Sequence, residues 1–222
     1  MHRMIELVAS DGFELSAYRA EPSGKPRGGL VVIQEIFGVN DHIRSVCDGY
    51  ADDGYRVIAP ALFDRVEPGV DLGYSDEEVT RGRALRAKIK IDTVLLDVAA
   101  ARDAAADAGK VGIVGYCWGG LVVWMSAARL PGLACAIAYY GVGMTDATAE
   151  TPKCPVMGHF GEWDQMIPVP GVDRLKGAHP DIEVFIYPAD HGFNNDQRAT
   201  YDDISARLAR ERTIEFLGQN VG

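Results

Sequence analysis

Cys117 stands in Gly115-Tyr116-Cys117-Trp118-Gly119-Gly120, and its surroundings are those of a nucleophile. A short β-branched run, Lys110 to Val114, precedes it, and an apolar run from Leu121 to Ala128 follows. Strand, G-x-C-x-G-G, helix is the context of a nucleophile elbow, a turn so tight that only glycines fit beside the reactive residue. At the start of a helix, amide N–H groups and the helix dipole favour a thiolate. The alternative is a glycine-rich strand-to-helix turn around a structural cysteine.

A cysteine nucleophile needs a base and a group to orient that base. Beyond an elbow the chain order is acid, then histidine. His159 lies inside an apolar run and His179 sits at a polar helix exit, whereas His191 follows the last strand in Asp190-His191-Gly192-Phe193. His191 is the expected base. The acid is expected in the loop Gly161-Glu162-Trp163-Asp164-Gln165, with Asp164 preferred and Glu162 and Asp190 as competitors. Its carboxylate would fix the histidine tautomer. Two main-chain donors are required for the oxyanion: the N–H of Trp118, after the nucleophile, and that of Ile36, after the strand ending at Gln34. Glu35 falls in the same rim. It either takes or holds the thiol proton, or it is a capping or ion-pairing residue.

The elements that must position these groups alternate strand and helix along 222 residues, the size of one large α/β domain spanning 1–222. Ser10-Asp11-Gly12 between β-leaning runs signals a hairpin, and Gly29 to Ile33 is a continuous apolar run suited to a strand covered on both faces. Asn40 or Asp41 can cap a helix to Asp53, and residues 61–75 read as a loop over the strand ends. Ser75 and Glu78 form a capping-box pattern opening a helical stretch that breaks near Lys90 to Asp92. Strands over 134–140, 155–160 and 183–187, and helices over 169–178 and 200–217, complete the chain. The expected fold is α/β: a mostly parallel, doubly wound sheet with an N-terminal antiparallel hairpin and helices on both faces.

With 47% hydrophobic and 24% charged residues the chain has ordinary globular composition. A net charge of -10 argues against nucleic acid and anionic membrane surfaces. No run of 18 apolar residues predicts a membrane span, and the N-terminus lacks the apolar stretch of a signal peptide. The four cysteines, Cys47, Cys117, Cys135 and Cys154, are too sparse for a disulfide scaffold and fit a reducing cytoplasm.

Gln34-Glu35-Ile36-Phe37-Gly38-Val39-Asn40, the Cys117 elbow, Tyr139-Tyr140-Gly141-Val142-Gly143 and His191-Gly192-Phe193, in this order, resemble the dienelactone hydrolase family of α/β-hydrolases. The resemblance implies an α/β-hydrolase fold and hydrolysis of enol-lactones and related carboxylic esters without metal or cofactor. It implies a triad of Cys117, Asp164 and His191, and a glutamate, Glu35, that meets the resting thiol. It places Phe37, Arg81 (or Arg83), Tyr140 and Asn195 about a small ester or lactone, in a monomer or homodimer.

The family's second arginine clamp falls on Asn195, its helix aromatics fall on Ala84 and Ala87, and Arg198 is out of register. A neutral residue at 195 weakens one contact to a substrate carboxylate, so neutral or bulkier esters should be hydrolysed at least as well as the carboxylated lactone. The alternative class is a thiol redox sensor or a small-molecule binder on the same fold, against which stands the lack of an evident resolving cysteine.

Overall fold

The computed structural model describes residues 2–222. One sheet of eight strands runs in the order β1 (His2–Val8), β2 (Glu14–Ala20), β4 (Tyr55–Pro60), β3 (Gly28–Ile33), β5 (Val111–Tyr116), β6 (Leu133–Tyr139), β7 (Val156–Gly161), β8 (Glu183–Tyr187). The β1–β2 hairpin, with Leu7 opposite Leu15, and the β2–β4 pair are antiparallel; every other pair is parallel. β3 and β5 are buried along their whole length, and Ile33 lies beside Gly115 at their carboxyl ends.

The described residues form six helices, α1 (Asp41–Asp52), α2 (Asp76–Ala87), α3 (Ile91–Ala105), α4 (Trp118–Arg129), α5 (Val169–Ala178) and α6 (Asp203–Asn220), of which α1, α3, α4 and α6 pack on the sheet. Alternation along β5 assigns faces. A side chain at Gly112 would meet Leu217 and Val221 at the end of α6, whereas one at Gly115 would meet Gly119 and Val123 of α4. This is the expected α/β-hydrolase architecture. The last helix begins at Asp203, later than the sequence reading, because Asp202 accepts from Ser205 N at 2.8 Å and caps it. Among the described residues no helix is long and apolar enough to cross a membrane.

The loop over the strand ends is more structured than its composition implies. It opens with a 3₁₀ turn, Leu62–Arg65, whose Leu62 N donates to Gln34 Oε1 at 3.1 Å. Asp64 accepts from Ser16 N at 2.8 Å and from Gly69 N at 3.1 Å. Arg65 makes two 2.8 Å bonds to Asp97, a fully buried carboxylate on α3. Burial pushes the Asp97 carboxyl up, and the Arg65 guanidinium opposes that shift. Asp97→Ala leaves the largely buried Arg65 with only the part-exposed Asp11 as a partner, and an equilibrium urea titration should show a loss of about 2 kcal/mol.

Candidate active site

Cys117 follows β5 directly and has φ 56° and ψ −118°, a left-handed conformation that an L residue adopts only under constraint. Its N–H donates to Tyr139 O at 3.0 Å, and its carbonyl accepts from Gly120 N at 3.0 Å and Val142 N at 3.1 Å. The flanking glycines are steric necessities. A Cβ at Gly119 would lie 2.6 Å from Gln34 O, and one at Gly115 would collide with the carbonyl of Gly119.

Three loops at the carboxyl edge deliver the other groups. His191, after β8, points Nε2 at Cys117 Sγ, 3.2 Å away, and Nδ1 at Asp164 Oδ2, 2.7 Å away. Asp164 follows β7 and is 2% exposed; its other oxygen accepts from Met166 N at 2.8 Å and Ile167 N at 3.2 Å. Of the competing carboxylates, Glu162 is exposed, and Asp190 binds the main-chain N of His191 at 2.7 Å. Burial alone would lower the basicity of His191, but Asp164 and the Cys117 sulfur outweigh it and the imidazole is pushed up to about 10. His159 is held by Tyr187 and Thr213 and driven down to about 3 by complete burial, so it is a core residue. His179 bonds Thr148 O at 2.8 Å at the end of α5.

A cavity of about 270 Å³ opens over Cys117 and His191. Ile36 and Trp118 line it, and neither main-chain N–H donates to a protein carbonyl among the described residues. Trp118 is the first residue of α4, where the helix leaves N–H groups free. The Trp118 indole stacks on Phe63 of the 3₁₀ turn, with centroids 5.6 Å apart. Phe37 lines the same cavity.

The remaining expectations change. Arg81 is half exposed, paired with Glu67, and absent from the cavity wall, whereas Arg83 and Arg86 are on it. Val79, Arg83, Arg86 and Ala87 form one helical stripe, and Arg81 lies about 200° around the helix from Arg83. Asn195 is fully buried behind the wall and donates to Glu35 Oε2 at 2.8 Å. Arg198 takes the place on the wall, its guanidinium lying over Gly192 beside His191. None of Arg83, Arg86 and Arg198 has an acidic partner among the described residues. Arg86 was legible as the i+3 companion of Arg83; Arg198 was visible in the sequence as a nearby arginine out of the clamp's register, and the fold brings it to the wall.

Tyr140 is fully buried under the site, with φ 37° and its ring 5.1 Å from that of His191. Glu35 is 1% exposed, and its Oε1, like the Tyr140 hydroxyl, has no hydrogen-bond partner among the described residues. Among the described residues no three His, Cys, Asp or Glu side chains converge to hold a metal ion.

Comparison with known proteins gives the geometry a lineage. Residues 15–221 match the model of the "Dienelactone hydrolase family". A protein of Yersinia pestis named "Putative carboxymethylenebutenolidase" is 34% identical over 234 aligned positions, covering 96% of this chain and 86% of its own length. One of the same name from Azospirillum brasilense is 35% identical over 231 positions, covering 98% and 99%. A crystal structure from Klebsiella pneumoniae described as a "Putative Dienelactone Hydrolase" superposes with a TM-score of 0.85 at 33% identity, covering 99% of both chains. With its elbow, its sheet order and nearly its whole length accounted for in this way, the chain belongs to the dienelactone hydrolase family of α/β-hydrolases.

Proposed function

We propose that the chain, acting as one domain over residues 1–222, hydrolyses small carboxylic esters or lactones through a thioester on Cys117. The observation that carries this reading is the unbroken line from Asp164 Oδ2 through His191 to Cys117 Sγ, with contacts of 2.7 and 3.2 Å, at the floor of a cavity. The thiol proton is carried on His191 Nε2 while the Cys117 sulfur attacks the acyl carbon. The N–H groups of Ile36 and Trp118 receive the oxyanion, and the imidazolium returns its proton to the leaving oxygen. A water then enters, loses a proton to His191 and cleaves the thioester. Nδ1 of His191 keeps its hydrogen throughout and donates it to Asp164 Oδ2. Glu35 is assigned to the resting thiol: here Cys117 Sγ faces His191 and makes no hydrogen bond with Glu35, but the Glu35 carboxylate is buried with Oε1 free to take that contact.

The relatives named for carboxymethylenebutenolidase support a lactone as substrate. Four free cysteines support work in a reducing cytoplasm. Cys117 is the one cysteine on the cavity wall among the described residues, which favours hydrolysis over redox sensing through a neighbouring thiol. Turnover of p-nitrophenyl acetate, abolished by iodoacetamide in step with alkylation of Cys117, tests the reading. Turnover that survives complete alkylation would end it.

The wall also revises the substrate preference read from Asn195. With Arg83, Arg86 and Arg198 presented to an otherwise apolar cavity, anionic substrates are favoured over neutral ones. A hydrogen bond to a charged group contributes about 1.5–3 kcal/mol, so each lost clamp should reduce the preference roughly ten- to a hundredfold. The parent enzyme should show a higher kcat/KM for a carboxylated lactone than for its methyl ester, and Arg198→Gln should lower that ratio about tenfold while sparing the neutral substrate. Equal ratios in parent and variant would make Arg198 a solvated charge.

A further inference from the structure

Glu35 ends in a carboxylate that the protein buries almost completely and supplies with a single neutral donor. That donor, Asn195 Nδ2, cannot be turned away, because Asn195 Oδ1 accepts from Gln197 N at 3.0 Å on its other side. The second hydrogen of the same amide goes to the Tyr74 hydroxyl at 2.9 Å. Tyr74 accepts once more, from Asn40 Nδ2 at 3.0 Å. Asn40 is fixed in turn: its Oδ1 caps α1 by accepting from Ile43 N at 3.2 Å, and its Nδ2 also donates to Leu72 O at 3.0 Å. Both hydrogens of both amides are thus committed, and the Tyr74 oxygen is the point where they meet.

Tyr74 immediately precedes Ser75, the cap of α2, and so belongs to the segment that roofs the site. Its ring meets Phe37 edge-on, with centroids 4.7 Å apart. α2 is pressed down on the same place, since any side chain at Gly82 would collide with the carbonyl of Ile36. Neither Tyr74 nor Asn195 lines the catalytic cavity, so neither is placed to touch substrate.

We propose that Tyr74 and Asn195 are positioning residues that hold the Glu35 carboxylate beside the Cys117–His191 pair with Oε1 left free. Seating of the 61–75 loop and α2 then sets the place of Glu35. The proposal rests on the reading of Glu35 as the group that meets the thiol. The titratable and charged neighbours of this cluster are Tyr74, Tyr140, Cys117, His191 and Arg198. Burial and the Glu35 charge push Tyr74 up to about 12 and raise Tyr140 as well, Cys117 adds to the second shift, and Arg198 opposes both.

The test uses the whole protein and reads the rate of Cys117 alkylation by iodoacetamide against pH, together with kcat and KM for an ester. Tyr74→Phe keeps the ring against Phe37 and removes only the oxygen; Asn195→Leu keeps the volume and removes the donor. Both should move the alkylation midpoint by about half a pH unit, in the direction that Glu35→Gln moves it, a change well above measurement error. Both should lower kcat about five- to tenfold with KM little changed, the effect of one lost hydrogen bond. In a Glu35→Gln background Tyr74→Phe should add nothing, because groups acting through one residue are not additive. If Glu35→Gln itself leaves both profile and turnover unchanged, the reading of Glu35 fails and this proposal with it. If Glu35→Gln shifts the profile but Tyr74→Phe and Asn195→Leu do not, or if Tyr74→Phe acts equally in the Glu35→Gln background, the positioning role alone is overturned. Should Asn195→Leu fail to fold, Tyr74→Phe carries the test by itself.

Discussion

Cys117→Ala should reduce ester hydrolysis by at least about a thousandfold, because removing the nucleophile of a triad leaves only what the oxyanion donors and binding supply. The change deletes one sulfur atom at a site that borders an open cavity, so the packing loss is small. The strained backbone at residue 117 is set by the bonds from Cys117 N to Tyr139 O and from Gly120 N and Val142 N to the Cys117 carbonyl, none of which uses the side chain. The variant should therefore fold, show the parent's far-ultraviolet circular dichroism, and bind a substrate analogue with similar affinity. Turnover within tenfold of the parent would remove Cys117 from the mechanism. The comparison is sharpest at equal substrate occupancy, where kcat rather than KM carries the loss.

His191→Ala should cost about as much as Cys117→Ala, since members of a triad act as a unit. Asp164→Asn should cost less. The asparagine still reaches Nδ1 but no longer stabilises the imidazolium, and its amide can present a donor that favours the wrong tautomer. Glu162→Gln is the matched control, because Glu162 is exposed and lies two residues from Asp164. A damaging Glu162→Gln with a harmless Asp164→Asn would reverse the assignment of the acid. The same imidazole has a signature in stability. Its folded value, about 10, lies above the ordinary 6.5, so its contribution is fully present below about pH 6.5 and is lost as pH rises through about 10. Urea midpoints of the parent should fall across that interval, and His191→Ala should flatten the fall. An identical slope in the two proteins would mean that His191 is not held protonated in the fold.

Much of the catalytic line was legible because its members are placed by local chain geometry. An elbow between an apolar strand and an apolar helix demands a glycine at 115 from its own backbone, and the neighbouring strand adds the demand at 119. His191 and Asp164 each stand in a loop leaving the carboxyl end of a sheet strand, and parallel strands bring those loops to one edge. The capping box at Ser75 and Glu78 was visible for the same reason: it closes over three residues.

The substrate-facing residues were not legible in this way. On α2 the difference between Arg81 and Arg83 is a rotation of the helix about its axis, and composition leaves that rotation open. The close approach of Gly82 to Ile36 and the burial of Leu85 decide it, and both depend on contacts far along the chain. Asn195 reads in sequence as a missing clamp, yet its side chain turns behind the cavity to Glu35, 160 residues away in the chain, while Arg198 reaches the wall. The sequence by itself pointed to Cys117 and His191 and to a mostly parallel sheet edged by an antiparallel hairpin, because strand, turn and helix periodicities are properties of neighbouring residues, whereas the strand order came from the fold. Only the tertiary structure decided which arginines line the cavity and that Tyr74 meets Asn195, because a side chain's direction follows from packing and hydrogen-bond partners that the fold alone brings within reach.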